Sequence, residues 1–311
     1  MAYGGVVANT AVNNWFVRKK GKALGFASAG ISFSGAVLPL IAMALILHST
    51  IADAFLWIGL LTVVVGPLSW LVVRDWPEQF GLHPDGLPPD VIEPISLRNQ
   101  APKGIVSADR EEPWTFRRLV ATGTFWKIGL SLGLALTSVG AVMSQLKPRF
   151  ADLGFDDMTA MWLMALTACI GAIAKYLWGM WCDRFDPRHV FAVLVSMMAL
   201  GLGLALIHDS LVALVLFIGI FGFSMGGVMS IFPIIVADLY GRESFPAVFR
   251  YVSLVVIIEV FGFVIAGQSF DRTGSYDLAY IVFIILALIA VYLIVTTRRP
   301  EIDGETQRQA S

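Results

Sequence analysis

Two side chains in this sequence stand where a charge is hard to keep: Lys175, inside the run CIGAIAKYLWGMWC, and Glu259, between VSLVVII and VFGFVIAG. A cation in a long apolar helix is costly in a bilayer unless it meets a partner, which makes Lys175 a functional candidate; the alternative is an ammonium that snorkels to the headgroups. Glu259 is the only carboxylate deep in such a run, and a carboxylate far from water can bind and release a proton. Its plainer use is a structural pair with Lys175 or a hydrogen bond to a neighbouring helix. Two charged turns follow apolar runs: Asp183-Arg184-Phe185-Asp186-Pro187-Arg188, and Asp238 with Arg242 four residues on. His48, His83, His189 and His208 fall in turns or at the ends of apolar runs without a second ligand at metal spacing, and read as surface residues. No nucleophile–base pair stands out, so neither an enzyme nor a cofactor or metal is expected.

The elements that carry these residues are set by composition. Of 311 residues 57% are hydrophobic and 14% charged, and mean hydropathy is +0.75, outside the range of soluble domains. The net charge of -1 offers no basic excess for nucleic acid. Apolar runs at about 23–47, 52–73, 120–146, 158–181, 189–208, 211–238, 247–269 and 277–297 are each about long enough to span a bilayer as a helix. The expected fold is therefore all-α and polytopic, a bundle of eight transmembrane helices. Residues 1–16, without a basic start or a cleavage site, read as the last turns of a further helix rather than a signal peptide. Residues 17–74 then hold the first two spans. Residues 75–118, with seven prolines and many charges, read as a solvated linker whose end, Trp114–Arg118, suits a short interfacial helix. Residues 119–298 hold the other six spans, and 299–311 a polar tail. Cys169 and Cys182, thirteen apart on one helix, are too distant to bridge. Eighteen Lys and Arg gather on one side of the alternating loops, against Lys147, Arg149 and Arg272 on the other. That bias puts the linker, the 182–188 turn and the C-terminus in the cytoplasm, as in a plasma (inner) membrane protein.

Several local words resemble the major facilitator superfamily. Gly179-Met-Trp-Cys-Asp183-Arg184-Phe-Asp186-Pro-Arg188 resembles the loop signature G-x-x-x-D-R-x-G-x-[RK], which recurs after the family's helices 2 and 8. Trp15-Phe16-Val-Arg18-Lys-Lys-Gly21-Lys-Ala23-Leu-Gly25 resembles the approach to helix 5 in the monocarboxylate and oxalate/formate antiporter-like branch, and Arg74-Asp75-Trp-Pro77-Glu-Gln-Phe-Gly81-Leu-His-Pro84-Asp85-Gly86 the stretch after helix 6. Asp238-Leu-Tyr-Gly241-Arg242 fits the loop after helix 10. The resemblance covers essentially the whole chain. It makes the eight spans helices 5–12 and residues 1–16 the end of helix 4, so that helices 1–3 and most of helix 4 are expected to be missing from a fragment or a late-start gene model.

What the resemblance implies is secondary transport of a small organic anion, monocarboxylate-like, by alternating access between two six-helix halves. Lys175 stands where that branch usually carries arginine in helix 8, and would bind the substrate carboxylate as a point charge without the bidentate fork of arginine. Glu259, where oxalate-type relatives place a second cation, argues against a doubly charged substrate and makes protons a possible partner. Asp183, Arg184 and Arg188 would lock the cytoplasmic side by pairing across helix ends, with Asp238 and Arg242 as the matching element. Competing readings are an exporter of neutral or cationic compounds that relies on Glu259, and a non-transporting membrane fragment.

Overall fold

The computed structural model describes residues 2–16, 18–74, 76–86 and 114–300, which hold ten α-helices. They are α1 (Ala2–Trp15), α2 (Lys20–His48), α3 (Ile51–Val72), α4 (Phe116–Ala121), α5 (Gly123–Asp152), α6 (Asp157–Cys182), α7 (Pro187–Ala205), α8 (Leu211–Val255), α9 (Phe261–Thr273) and α10 (Asp277–Val295). Seven stretches among the described residues are long and apolar enough to cross a membrane: Ile51–Ser69, Gly123–Asp152, Asp157–Cys182, Pro187–Ala205, Leu211–Gly241, Ser244–Thr273 and Asp277–Val295. Eight were expected. The one outside these seven, 23–47, falls on α2, a single helix of 29 residues, some of whose side chains lie outside the described residues.

Short polar side chains fix the helix ends. Asp156 accepts the N–H groups of Met158 and Thr159 and so caps α6; Asp186 accepts that of Arg188 and caps α7, whose first residue is Pro187. Thr50 and Asp53 form a reciprocal capping box at α3, and Gly274, in the left-handed region at φ 67, closes α9. Gly241, at φ 80, breaks α8, so that one span ends there and the next begins at Ser244. That second span, Ser244–Thr273, is itself interrupted by a 3₁₀ segment, Val256–Val260, before α9 resumes.

The core lies among α5 to α10, where Phe125, Leu132, Phe150, Trp178, Phe191, Met198, Phe217, Phe221 and Tyr280 are fully enclosed. α2 packs on α6 and α8, α1 on α8, and α3 chiefly on α2. α3 presents Phe55, Leu56, Trp57, Val63, Val64 and Leu68 outward, a surface no water-facing helix would keep and one that lipid chains satisfy. Near the expected Trp114–Arg118 a short helix is present, shifted to Phe116–Ala121 as α4 and ending where Thr122 caps α5. Of the linker, residues 87–113 lie outside the described residues; Pro77–Phe80 and Pro84–Gly86 form 3₁₀ turns.

Candidate functional site

Along the seam between α2 and α6 two helix backbones touch. A Cβ added to Gly21 would collide with the carbonyl oxygen of Gly179, and one added to Gly179 with that of Gly21. Four residues along, a Cβ on Gly25 would lie 2.5 Å from the carbonyl oxygen of Lys175. Glycines spaced by four on one helix thus meet a glycine and a lysine backbone spaced by four on the other, which is how small residues let helices approach closely. On its other side α6 meets α8 the same way: Gly226 lies against the Gly171 carbonyl, and the indole of Trp178 donates to the Phe223 carbonyl at 2.9 Å.

Asp183, at the end of α6, completes the seam. Its carboxylate accepts the backbone N–H of Gly21 at 2.6 Å and of Lys22 at 3.0 Å, two of the donors that the first turn of α2 leaves without intrahelical partners. α2 has no acidic residue in its first turn, so Asp183 supplies in space the negative charge that a helix N-terminus favours. Burial pushes the Asp183 carboxyl above the ordinary aspartate range; the N–H bonds from Gly21 and Lys22 and the charge of Lys22 oppose this without cancelling it. A group whose pKa is higher docked than free binds its proton more tightly when docked. Acid therefore favours the docked seam, and the advantage is lost as pH rises through the raised value. The expected result is that labelling of a cysteine placed in the seam, divided at each pH by that of a fully exposed cysteine so that the thiolate fraction cancels, slows as pH falls from neutral toward about 4, the ordinary aspartate value. Asp183→Asn should flatten that dependence.

The other charged residues of the turn work differently from the expectation of pairs across helix ends. Arg188 grips Asp186 within the turn, Nε to Oδ1 at 3.0 Å and Nη2 to Oδ2 at 2.6 Å, while its Nη1 donates to the Thr297 carbonyl at 2.7 Å, past the end of α10. Burial raises the Asp186 carboxyl, but the Arg188 guanidinium outweighs it and holds the group below the usual carboxylate range. Arg184 is exposed, and its guanidinium has no hydrogen bond or ion pair among the described residues. Asp238 pairs with Arg299 at 3.5 Å. The break at Gly241 separates Asp238 from Arg242, so the two do not share one helix face as an i,i+4 pair; the Arg242 side chain lies outside the described residues.

Lys175 is 6% exposed and does not snorkel. It lies eight residues before Asp183, about 12 Å along the helix, and its Cα–Cβ bond tilts toward the N-terminus of α6, deeper into the bundle. Its Nζ donates to the Ser28 carbonyl of α2 at 3.1 Å, and no carboxylate among the described residues lies within ion-pair distance. The structural pair with Glu259 does not form. Glu259 is partly exposed in the 3₁₀ interruption, and its carboxylate has no hydrogen bond or ion pair among the described residues. Around it the span presses on α5: an added Cβ on Gly129 would meet Val255, one on Gly133 Ile258, and one on Gly262 the Thr137 carbonyl. Mid-helix 3₁₀ turns of this kind often mark hinges.

The sequence reading passed over one cluster. At the opposite end of the bundle Arg149, 5% exposed, donates to the Ala205 carbonyl at the end of α7, sits over the Tyr280 ring at 4.5 Å, and lies 3.8 Å from Asp277. His208, read as a surface residue, lies with Nε2 2.9 Å from Asp277. The signal available was slight: Leu146, Arg149 and Phe150, at helical spacing, share one buried face. Among the described residues no group of three His, Cys, Asp or Glu could hold a metal ion, and both cysteines are free.

Residues 128–310, well over half of the chain, match the Major Facilitator Superfamily. The chain belongs to that superfamily. Its members are membrane transporters rather than enzymes, and this chain is an integral membrane protein with several helical spans. Among curated proteins it is similar to the MFS-type transporter hasB of Aspergillus fumigatus, 25% identical over 238 residues, which are 75% of this chain and 49% of that one. It is also similar to monocarboxylate transporter 2 of Rattus norvegicus, 29% identical over 159 residues, 48% of this chain and 32% of that one. The chain spans about half the length of the first and a third of the second. Among solved structures it resembles a single-substitution variant of the E. coli fucose:proton symporter FucP, with a TM-score of 0.53 at 11% identity, covering 96% of this chain and 92% of that one. A structure of FucP in the outward conformation gives 0.51 at 12% identity, covering 96% and 90%. At such identities these likenesses establish the MFS fold of the bundle.

Proposed function

We propose that this protein moves a small organic anion, monocarboxylate-like, across the plasma (inner) membrane by alternating access, with Lys175 as the counter-ion and Glu259 as a proton carrier. In this reading α1 is the end of helix 4 and the spans from α2 to α10 are helices 5–12. The observation that carries it is Lys175: an ammonium in the seam between α2 and α6, with a single backbone carbonyl as its partner and no carboxylate beside it among the described residues. A buried cation so placed is expensive, and an incoming carboxylate is the group that would relieve it. The similarity to a monocarboxylate transporter over part of the chain supports the same substrate class.

The gate in this reading is the Asp183–Gly21–Lys22 contact, with the basic loops facing the cytoplasm as the Lys and Arg bias suggests. Docking closes that side; rocking of one group of helices against the other breaks two hydrogen bonds and a glycine contact without burying a new charge. Arg188 and Asp186 brace the turn from within, and Arg299 with Asp238 ties down the segment after α10.

A second reading, export of neutral or cationic compounds, rests on Glu259, a partly exposed carboxylate with no cationic partner among the described residues. The two separate experimentally. Membrane vesicles carrying the protein should take up labelled lactate or formate saturably, and labelled oxalate poorly. Glu259→Gln should abolish uptake driven by a pH gradient while sparing exchange of labelled for unlabelled anion. Unchanged proton dependence in that variant would reject Glu259 as the proton carrier. Extrusion of a cationic dye, lost in Glu259→Gln and kept in Lys175→Ala, would favour the exporter.

A further inference from the structure

The N-terminus of α2 carries a second carboxylate. Asp85 Oδ2 accepts the backbone N–H of Arg18 at 2.6 Å, three residues before the Gly21 N–H that Asp183 accepts. Asp85 comes from the start of the linker, after α3, whereas Asp183 comes from the end of α6. The segment that delivers Asp85 is built for it. Trp15 Nε1 donates to the Arg74 carbonyl at 2.7 Å, Arg74 lies 5.8 Å from the Phe80 ring, and Pro84 is buried. Asp85 itself has φ 56, between buried Pro84 and Gly86 at φ 66. It is the one described residue other than glycine with a positive φ, in a region where only short polar side chains are at ease. A turn of this shape holds the carboxylate against the helix end. The recipient is suited to an anion: Arg18, Lys19, Lys20 and Lys22 surround it, and no acid of its own stands in the first turn.

We infer that Asp85 is a positioning residue of the gate: the linker strap anchors the N-terminus of α2 from one side so that its free N–H groups stay aligned for Asp183 on the other. The strap then couples the linker to the closed state of the basic end. This rests on the reading of the Asp183 contact as the gate, and the test separates the two.

The discriminating substitution is Asp85→Gly. Glycine is the residue a left-handed position prefers, so a residue that only shaped the turn would be replaced without harm or with a small gain. A gate residue would not. The reporter is a single cysteine at Ser28, buried in the seam, in the full chain with Cys169 and Cys182 replaced by serine, reconstituted in vesicles and labelled by a polar maleimide added on the side of the basic loops. Removing the carboxylate should raise the labelling rate about fivefold, the scale of a lost helix cap. Asp85→Asn, which suits the same backbone and keeps an acceptor oxygen but no charge, should raise it about twofold. Asp183→Ala in the same background should raise it at least as much as Asp85→Gly. If Asp183→Ala speeds labelling while both Asp85 variants label at the parent rate, the strap has no part in the gate. If Asp183→Ala changes nothing, the gate reading itself fails and this inference with it.

Discussion

Gly179→Ala is expected to cost the protein its docked seam. The added Cβ would fall inside contact distance of the Gly21 carbonyl and 3.3 Å from the Gly25 Cα, with backbone rather than a flexible side chain on the receiving side. Backbone cannot swing aside, so α2 must lift from α6. Overpacking of this kind costs about 3 kcal/mol at the upper end of the usual range, roughly a hundredfold in the docked fraction. Lifting α2 also takes Gly21 and Lys22 away from Asp183 and Ser28 away from Lys175. The expected result is a seam cysteine whose labelling, relative to a fully exposed cysteine at the same pH, no longer changes with pH, and vesicle uptake that falls to background. Gly30→Ala, on the same helix as Gly21, is the control, because nothing lies within 4 Å of its Cβ position, and helix propensity alone would make it neutral or mildly stabilising. A Gly179→Ala protein that labels and transports like the parent would mean that the seam is not a contact the cycle depends on.

The second large effect is expected at Lys175. Lys175→Ala removes the buried cation of the α2–α6 seam and leaves the Ser28 carbonyl without that partner. Losing one charge-assisted contact to a bound carboxylate costs about 2–3 kcal/mol, so anion affinity should fall roughly thirtyfold to a hundredfold and saturable uptake should disappear at working concentrations. Lys175→Arg keeps the charge and adds a bidentate fork; it should restore binding in part and favour larger or doubly charged anions. Loss of uptake in Lys175→Ala with no change in substrate affinity, measured by thermal shift with lactate and formate, would assign the lysine to structure instead.

The spans were legible because the bilayer imposes a length and the chain marks its exits with polar turns. Asp156, Asp186 and Ser210 stand where such turns were expected, and each caps the helix that follows; Thr122 caps α5 from inside the run expected to start near 120. The apolar run ends near 146, where Lys147, Pro148 and Arg149 look like an exit; the helix runs on to Asp152 because Arg149 and Phe150 turn inward. The site was only half visible. Lys175 and Asp183 stood out as charges in the wrong place. Their partners, the Ser28 carbonyl and the N–H groups of Gly21 and Lys22, are backbone atoms, which leave no mark in a sequence. Asp238 and Arg242 were paired by spacing alone, and one glycine in the left-handed region undid the helix that spacing assumed. Asp85 falls within the polar stretch after the second span, and nothing in its letters tells that the chain folds back 67 residues to Arg18.

The Arg149 cluster has a mechanical consequence. It fastens the ends of α5, α7 and α10 to one another at the end of the bundle away from Asp183. All three helices belong to the half that faces α2, so the cluster does not join the two halves; it stiffens one of them into a single body that tilts as a unit. Over a helix of 30 residues, about 45 Å, parting the far edge by about 4 Å takes a swing of only about 5°. In the proposed cycle that stiffness carries a small tilt to the glycine seam while the packed side chains near Arg149 scarcely shift.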